Sequence, residues 1–302
     1  MSITQLQQDI LTQLNKTGLA VVDIESFKDQ QLQKDYRETQ RYFERFAAHP
    51  NVGAESMKLQ LGATTSSRGK RFELSHYHML GRPLTLGDSG LFRLYLNEVF
   101  LQIAQSYLGT VPRLRNLGSY LHAYVLPSPN SLGLTKAPGV HVREKSQRFH
   151  RDTEDWRVLK IFIYFSKVTV DTGPHQYVLR SRYGDKNNHI WPNLDREGDV
   201  WNTHGYLDAA AMAKIPPEDI ATIVGDRGTV IFEDTNGFHR GGFFTRSGKR
   251  LMSVGAYLRE DAWQIRHGPL TSLDYDKKRG NFIDTSHYLY DILSPRAKKV
   301  VS

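Results

Sequence analysis

The feature that most constrains the fold is a change of hydrophobic pattern near residue 118. Apolar residues before this point recur at helical spacing, in segments 3–16, 26–48 and 91–108. After it, short β-branched and aromatic runs are separated by turn signals, as in the run VLKIFIYF at 158–165. Helices followed by many short strands predict an α+β fold with a mainly β core, a β-sandwich or jelly roll carrying N-terminal and flanking helices.

The chain shows no clear linker, so we expect one domain over residues 1–302. Its helical part covers about 1–110, its β core about 115–260, and a C-terminal wrap about 260–302. A polar insertion occupies 183–215. The individual strands are predicted at 19–24, 118–126, 158–165, 177–179 and 250–258, with 220–224 and 229–233 as a hairpin-like pair.

Side-chain alternation in the run at 158–165 assigns two faces to one strand. Lys160, Phe162 and Tyr164 share one face, and the apolar set Leu159, Ile161, Ile163 and Phe165 shares the other. The apolar set suits packing against helices, which directs Lys160 into the β core. Because a buried lysine needs an anion, we hypothesise that Lys160 meets a carboxylate of a co-substrate or substrate. A lysine reaching to the rim of the core explains the pattern equally well.

Composition excludes several kinds of site. The chain has no cysteine, which removes disulfides, thiolate zinc sites, iron–sulfur clusters and cysteine nucleophiles. Its net charge of +8 favours anionic partners, although a solvated basic surface accounts for it equally. We find no phosphate-binding glycine loop, no nucleophile elbow and no nucleic-acid-binding motif. Neither a signal peptide nor a membrane span is visible, so we expect a cytoplasmic protein.

One pair of residues has the spacing of metal ligands. In His150-x-Asp152 the two side chains of an extended chain point to the same face, and His239 follows 87 residues after Asp152. Two histidines and one carboxylate form the facial triad of non-haem Fe(II) oxygenases. Arg250, eleven residues after His239, opens an apolar strand and could pair with a dicarboxylate. A surface His–Asp pair and a surface arginine at a strand end remain the alternatives.

The order of these motifs resembles a known family. Six segments look like the phytanoyl-CoA dioxygenase-like branch of the Fe(II)/2-oxoglutarate oxygenases: FHRD at 149–152, KIFIYF at 160–165, DTGPHQYVL at 171–179, GDRGTVIFED at 225–234, GFHRGG at 237–242 and KRLMSVGAYL at 249–258. The resemblance covers about residues 118–258 and implies a double-stranded β-helix. The family's Pro-Gly-Ser-His segment is replaced here by LRSR at 179–182.

The resemblance also implies roles for individual residues. His150, Asp152 and His239 would be the iron ligands, and Arg250 would bind the distal carboxylate of 2-oxoglutarate. Tyr124 and Phe162 fall where the family lines the co-substrate pocket. The cofactors implied are Fe(II), 2-oxoglutarate and O2.

These observations together predict a dioxygenase. We expect hydroxylation of an unactivated C–H bond in a small molecule, with release of succinate and CO2. The basic charge favours an anionic or polyhydroxylated substrate, such as a glycan or natural-product precursor. The alternatives are a non-catalytic metal- or ligand-binding jelly roll, and a nucleic-acid demethylase or binder, although no nucleic-acid partner is expected. The sequence gives no indication of an oligomeric state.

Overall fold

The fold is taken from a computed structural model of the chain, which describes residues 3–48, 76–78, 90–123, 148–152, 154–190, 207, 209–246 and 248–262. Its helices are α1 (Gln5–Thr17), α2 (Gln30–Ala48), α3 (Leu91–Tyr95), α4 (Glu98–Leu108) and α5 (Ala209–Met212). Its strands are β1 (Leu19–Asp23), β2 (His76–His78), β3 (Pro112–Ala123), β4 (Leu159–Tyr164), β5 (His175–Val178), β6 (Ile220–Ile223), β7 (Thr229–Asp234), β8 (His239–Arg240) and β9 (Lys249–Arg259).

The strands form two antiparallel sheets. The larger sheet has six strands in the order β1-β7-β4-β9-β3-β2, and the smaller has three in the order β6-β5-β8. The described strands do not close into a barrel. The architecture is therefore a mixed helical and antiparallel fold that is mainly sheet, and β1 from the helical N-terminal part completes one edge of the larger sheet.

The N-terminal helix begins and ends where its sequence allows. Thr4 and Gln7 form a capping box at the start of α1, in which each side chain bonds the other residue's backbone N–H. Gly18 ends the helix with φ of 85°, in the left-handed region that glycine adopts without a Cβ clash. This sharp end delivers the chain directly into β1.

The outer face of the larger sheet packs on the helices. Leu159, Ile161, Ile163 and Phe165 all lie in one core cluster with side chains of α1, α2 and α4. The ring centroids of Phe43 and Phe165 are 4.5 Å apart in an edge-to-face pair. The face predicted from strand alternation to be apolar is therefore confirmed as the helix-packing face.

A second cluster joins the inner faces of the two sheets. Phe162, Tyr164 and Ile231 from the larger sheet contact Tyr177 and Ile223 from the smaller one. The inner face of β4 therefore points toward the smaller sheet, as the alternation predicts. It is at this junction that the polar residues of the candidate site collect.

Three local predictions were wrong. The segments at 220–224 and 229–233 do not pair with each other, because β6 pairs with β5 in the smaller sheet while β7 lies between β1 and β4. The helix predicted at 91–108 is broken, because the side chain of Asn97 accepts a hydrogen bond from Val99 N and starts a second helix there. The strand predicted to start at 118 begins at Pro112.

Other predictions fall on residues outside the described ranges. These are Tyr124, much of the polar insertion at 183–215, and residues 263–302 of the C-terminal wrap. Within the described part of the chain, no helix is long and apolar enough to cross a membrane.

Candidate metal centre

Backbone hydrogen bonds bring the His-x-Asp segment beside His239. His150 and His239 exchange N–H to C=O bonds of 3.0 and 2.9 Å, which makes an isolated antiparallel bridge at the edge of the smaller sheet. Asp152 N donates to Thr235 O at 2.9 Å. These bonds bring Asp152 close to His239, which lies 87 positions later in the sequence.

The three side chains converge as a metal site requires. One possible ligand atom from each of His150, Asp152 and His239 lies within 4.8 Å of the others. The imidazole centroids are 4.3 Å apart, and His239 Nε2 is 3.4 Å from Asp152 Oδ2. Within the described residues, this His-Asp-His group could hold a metal ion, and its donor set is the two-histidine, one-carboxylate set of non-haem iron sites.

Both imidazoles are held in the tautomer that a metal needs. His150 Nδ1 donates to Arg148 O at 2.9 Å, and His239 Nδ1 donates to Gly237 O at 3.0 Å. A carbonyl oxygen only accepts, so each Nδ1 carries a proton and Nε2 is the nitrogen left for a metal. Burial alone would lower the pKa of His239, but Asp152 outweighs burial and raises that pKa. Burial, together with the neighbouring His239, lowers the pKa of His150 to about 3, which keeps this ring neutral. The residues therefore fit a divalent metal.

Asp152 is a charged carboxylate with a cation beside it. Lys160 Nζ lies 2.5 Å from Asp152 Oδ2 and 3.9 Å from Glu154 Oε1. Burial alone would raise the pKa of Asp152, but the Lys160 ammonium and His239 hold it well below its usual value. Lys160 does point into the core. The structure brings the carboxylate of Asp152 to Lys160, whereas the sequence-based hypothesis was a carboxylate of the co-substrate or substrate.

Arg250 lies on the inner face of β9 and is almost completely buried, at 3% exposed. Its Nε donates a long hydrogen bond of 3.4 Å to His122 Nδ1, and the ring of Phe244 lies 6.0 Å away. Its Nη1 has no hydrogen-bond partner among the described residues. Burial lowers the pKa of this guanidinium. A buried cation with an unsatisfied donor can bind a carboxylate from a ligand.

Phe162 lies between the metal group and Arg250 along the inner face. Register places Lys160 opposite Ala256 and Phe162 opposite Val254, whereas Arg250 lies further toward the start of β9. The ring of Phe162 packs on the imidazole of His175, with centroids 4.8 Å apart. Tyr124, the other residue assigned to the co-substrate pocket, lies outside the described residues.

Sequence reasoning missed a buried pair behind His239. His175 Nε2 and Glu233 Oε2 are 2.7 Å apart, and Glu233 Oε1 is 3.8 Å from His239 Nδ1. Alternation in β7 would have placed Glu233 on the same inner face as Ile231. Its partner could not be found in this way, because β5 and β7 belong to different sheets.

Comparison with known proteins shows the fold but no close relative. No family model matches the chain, and no curated protein sequence matches it. The chain is similar to the epimerase SnoN in complex with Fe3+, alpha ketoglutarate and nogalamycin RO, at 15% identity over 85% of each chain with a TM-score of 0.51. It is also similar to SnoK, a non-heme alpha ketoglutarate dependent carbocyclase from nogalamycin biosynthesis, at 14% identity over 92% of each chain with a TM-score of 0.51.

A third similar structure is EctD from S. alaskensis with 2-oxoglutarate and 5-hydroxyectoine. It is 16% identical, with 85% of this chain and 76% of that chain covered and a TM-score of 0.50. Alpha ketoglutarate, which is 2-oxoglutarate, is common to the descriptions of all three structures, and that of SnoN also includes Fe3+. At such low identity the likeness shows a shared fold, and the chemistry of this chain has to be argued from its own residues.

Proposed function

We propose that this protein is an Fe(II)- and 2-oxoglutarate-dependent dioxygenase that hydroxylates an unactivated C–H bond of a small molecule. The observation that carries the proposal is the convergence of His150, Asp152 and His239, in which each imidazole Nδ1 is bonded to a backbone carbonyl and His239 Nε2 lies 3.4 Å from Asp152 Oδ2. The shared fold of SnoN, SnoK and EctD supports it.

The arrangement of the two sheets supports a finer structural proposal. Opposed antiparallel sheets, with the candidate ligands at the edge of the smaller one, suit the two sides of a double-stranded β-helix. The motif order of the phytanoyl-CoA dioxygenase-like family fits the same strands, since FHRD precedes β4 and KRLMSVGAYL forms β9. We therefore propose that the chain is related to that family.

The residues of the site divide the work between them. His150, Asp152 and His239 would hold an Fe(II) ion and leave part of its coordination to the co-substrates. Arg250 would bind the distal carboxylate of 2-oxoglutarate, which would satisfy its buried Nη1. Phe162 would line the path between the two ends and exclude water from it. We also propose Tyr124 as a residue of the co-substrate pocket.

The metal with its co-substrates supplies the oxidation, in which 2-oxoglutarate and O2 give succinate and CO2 while a C–H bond becomes an alcohol. The chain's own contribution is to orient the ligands and to bind the substrate. Asp152 provides the carboxylate ligand, which disfavours halide binding and hence halogenation. SnoN and SnoK are an epimerase and a carbocyclase on the same fold, so product analysis has to establish hydroxylation.

We propose an anionic or polyhydroxylated small molecule, such as a glycan or natural-product precursor, as the substrate class. The net charge of +8 supports attraction of anions. SnoN and SnoK act in nogalamycin chemistry and EctD binds 5-hydroxyectoine, which supports a small-molecule substrate over a polymer.

The decisive experiment is an anaerobic titration of the metal-free protein with Fe(II) and then 2-oxoglutarate. We expect a weak visible charge-transfer band that requires both components and reports the chelated keto acid. The band should disappear in His239→Ala and Asp152→Asn. It should persist in Asp171→Asn, a matched control whose carboxylate pairs with Arg246 away from the site.

Metal binding without a band would refute the assignment to this class and leave a metal-binding protein. If the band forms, succinate release is measured next over a panel of anionic and polyhydroxylated compounds. Mass spectrometry of the product then decides the reaction, since hydroxylation adds one oxygen and epimerisation or ring closure adds none.

A further inference from the structure

Lys160 occupies an unusual position for a cation, directly against a candidate metal ligand. Its Nζ is 2.5 Å from Asp152 Oδ2, the same oxygen that lies 3.4 Å from His239 Nε2. Its second anionic neighbour is Glu154, at 3.9 Å. The Lys160 and Asp152 side chains are each 16% exposed and that of Glu154 is 24% exposed, so bulk water screens this cluster only weakly.

The contacts of Lys160 are those of a charged ammonium. Its Nζ lies within salt-bridge distance of two carboxylates, those of Asp152 and Glu154. A positive charge therefore lies where a divalent metal would share the carboxylate of Asp152.

The strand register explains how the charge reaches this position. Lys160 lies between Glu233 on β7 and Ala256 on β9, at the start of β4. The segment with Asp152 and Glu154 leads into that same strand. The fold therefore holds the ammonium beside the candidate metal ligands.

We propose that Lys160 is a competing counter-ion for Asp152 that makes metal binding and 2-oxoglutarate binding depend on each other. This inference rests on the proposed function and assigns Lys160 and Glu154 as positioning residues. A divalent cation bound to Asp152 is repelled by the adjacent ammonium, which weakens binding of the metal alone. The dianionic 2-oxoglutarate gives the ammonium another anion toward which it can shift away from Asp152, so the co-substrate tightens metal binding, and the metal tightens co-substrate binding by the same factor.

Glu154 sets how strongly the ammonium competes. With Glu154 charged, the ammonium has a second carboxylate toward which it can shift when Asp152 binds a metal. Without that charge, Asp152 is the sole carboxylate partner of Lys160 among the described residues. Removal of the Lys160 charge and removal of the Glu154 charge should therefore change metal affinity in opposite directions.

The test measures the dissociation constant of Co(II) by competition with a fluorescent chelator, with and without saturating 2-oxoglutarate. The ratio of the two constants is the coupling factor. For Lys160→Met we expect Co(II) alone to bind at least about tenfold more tightly, and the coupling factor to fall by at least about tenfold. For Glu154→Gln we expect Co(II) alone to bind about threefold to tenfold more weakly.

Lys160→Arg is the matched control, since it keeps the charge and should keep a coupling factor close to that of the wild type. A merely structural role of Lys160 predicts weaker Co(II) binding in Lys160→Met, and that result would overturn the proposal. An unchanged coupling factor in Lys160→Met would overturn it as well. If Lys160→Met does not fold by circular dichroism, Lys160→Gln and the sign of the Glu154→Gln effect carry the test.

The outcome for this inference is separable from that for the proposed function. A charge-transfer band in the wild type together with a coupling factor of one leaves the oxygenase assignment intact and refutes the role of Lys160. Tighter Co(II) binding in Lys160→Met without any effect of 2-oxoglutarate supports the competition, but refutes the coupling and, with no band, the proposed function.

Discussion

Replacing Arg250 by methionine is expected to stabilise the metal-free protein while it removes the response to 2-oxoglutarate. Arg250 is 3% exposed and its Nη1 has no partner among the described residues. The side chain therefore holds a buried charge for which the described residues provide little compensation. Methionine is unbranched and flexible, so it can fill much of the space of the arginine stem.

The size of the effect follows from the contacts of Arg250. An unsatisfied buried donor costs about 1–3 kcal/mol, and exchange of buried ionic groups for apolar ones stabilises proteins by up to about 4 kcal/mol. Against this stand the long hydrogen bond to His122 and a distant contact with Phe244, together worth about 1–2 kcal/mol. We expect the free energy of unfolding to rise by about 1–2 kcal/mol.

Urea denaturation of the metal-free protein measures this change. Arg246→Met is the matched control, because the Arg246 side chain is 68% exposed and its loss should change the free energy of unfolding by less than about 0.5 kcal/mol. The same experiment with Co(II) and with 2-oxoglutarate at a hundred times its dissociation constant should add about 2.7 kcal/mol for the co-substrate in the wild type. Arg250→Met should lose that increment.

Two results would refute the reasoning about Arg250. Destabilisation of the metal-free Arg250→Met variant by more than about 1 kcal/mol would mean that the guanidinium already has strong partners in the protein. An undiminished stabilisation by 2-oxoglutarate would mean that the co-substrate carboxylate binds elsewhere.

Three further changes test packing by urea denaturation, two of them near the site and one on the helix-packing face, and a fourth tests the metal. Gly237→Ala should lower the free energy of unfolding by about 1–3 kcal/mol, because the new Cβ would lie 2.1 Å from Tyr177 Oη. Gly109→Ala is the control for the loss of a glycine alone, because no atom lies within 4 Å of its new Cβ although φ is positive there. Glu233→Ala should lower the free energy of unfolding by about 1–3 kcal/mol, because it leaves buried His175 without its carboxylate partner. Phe43→Ala should lower the free energy of unfolding by about 3–5 kcal/mol, because the core contacts of the ring are lost. Chelation of bound metal with EDTA should lower the melting temperature of the wild type and leave that of Asp152→Asn unchanged.

Local patterns in the sequence predicted the faces of the strands well. The alternation at 158–165 separates Leu159 and Ile161, which pack on the helices, from Lys160 and Phe162, which face the smaller sheet. It succeeds because side-chain direction in a strand depends on backbone geometry alone. The juxtaposition of the His-x-Asp segment with His239 was likewise foreseen from the motif order.

Pairing between distant segments was harder to predict. Nearness in the sequence favoured a hairpin of the segments at 220–224 and 229–233, yet the turn between them carries the chain from one sheet to the other. Val168 and Gly225 form a bridge at this crossing, with hydrogen bonds of 2.8 and 2.9 Å. Strand partners depend on contacts across the whole domain, which no local window contains.

The same distinction separates the ligand geometry of the site from its charge balance. The tautomers of His150 and His239 are fixed by carbonyls two residues earlier in the chain, so a short segment carries its own orienting group. The charge on Asp152 depends instead on Lys160 in the next strand, and Glu233 reaches His239 from another sheet. A substitution of His150 or Asp152 should therefore abolish metal binding. A substitution of Lys160 or Glu154 should change the affinity for the metal and leave the fold unchanged.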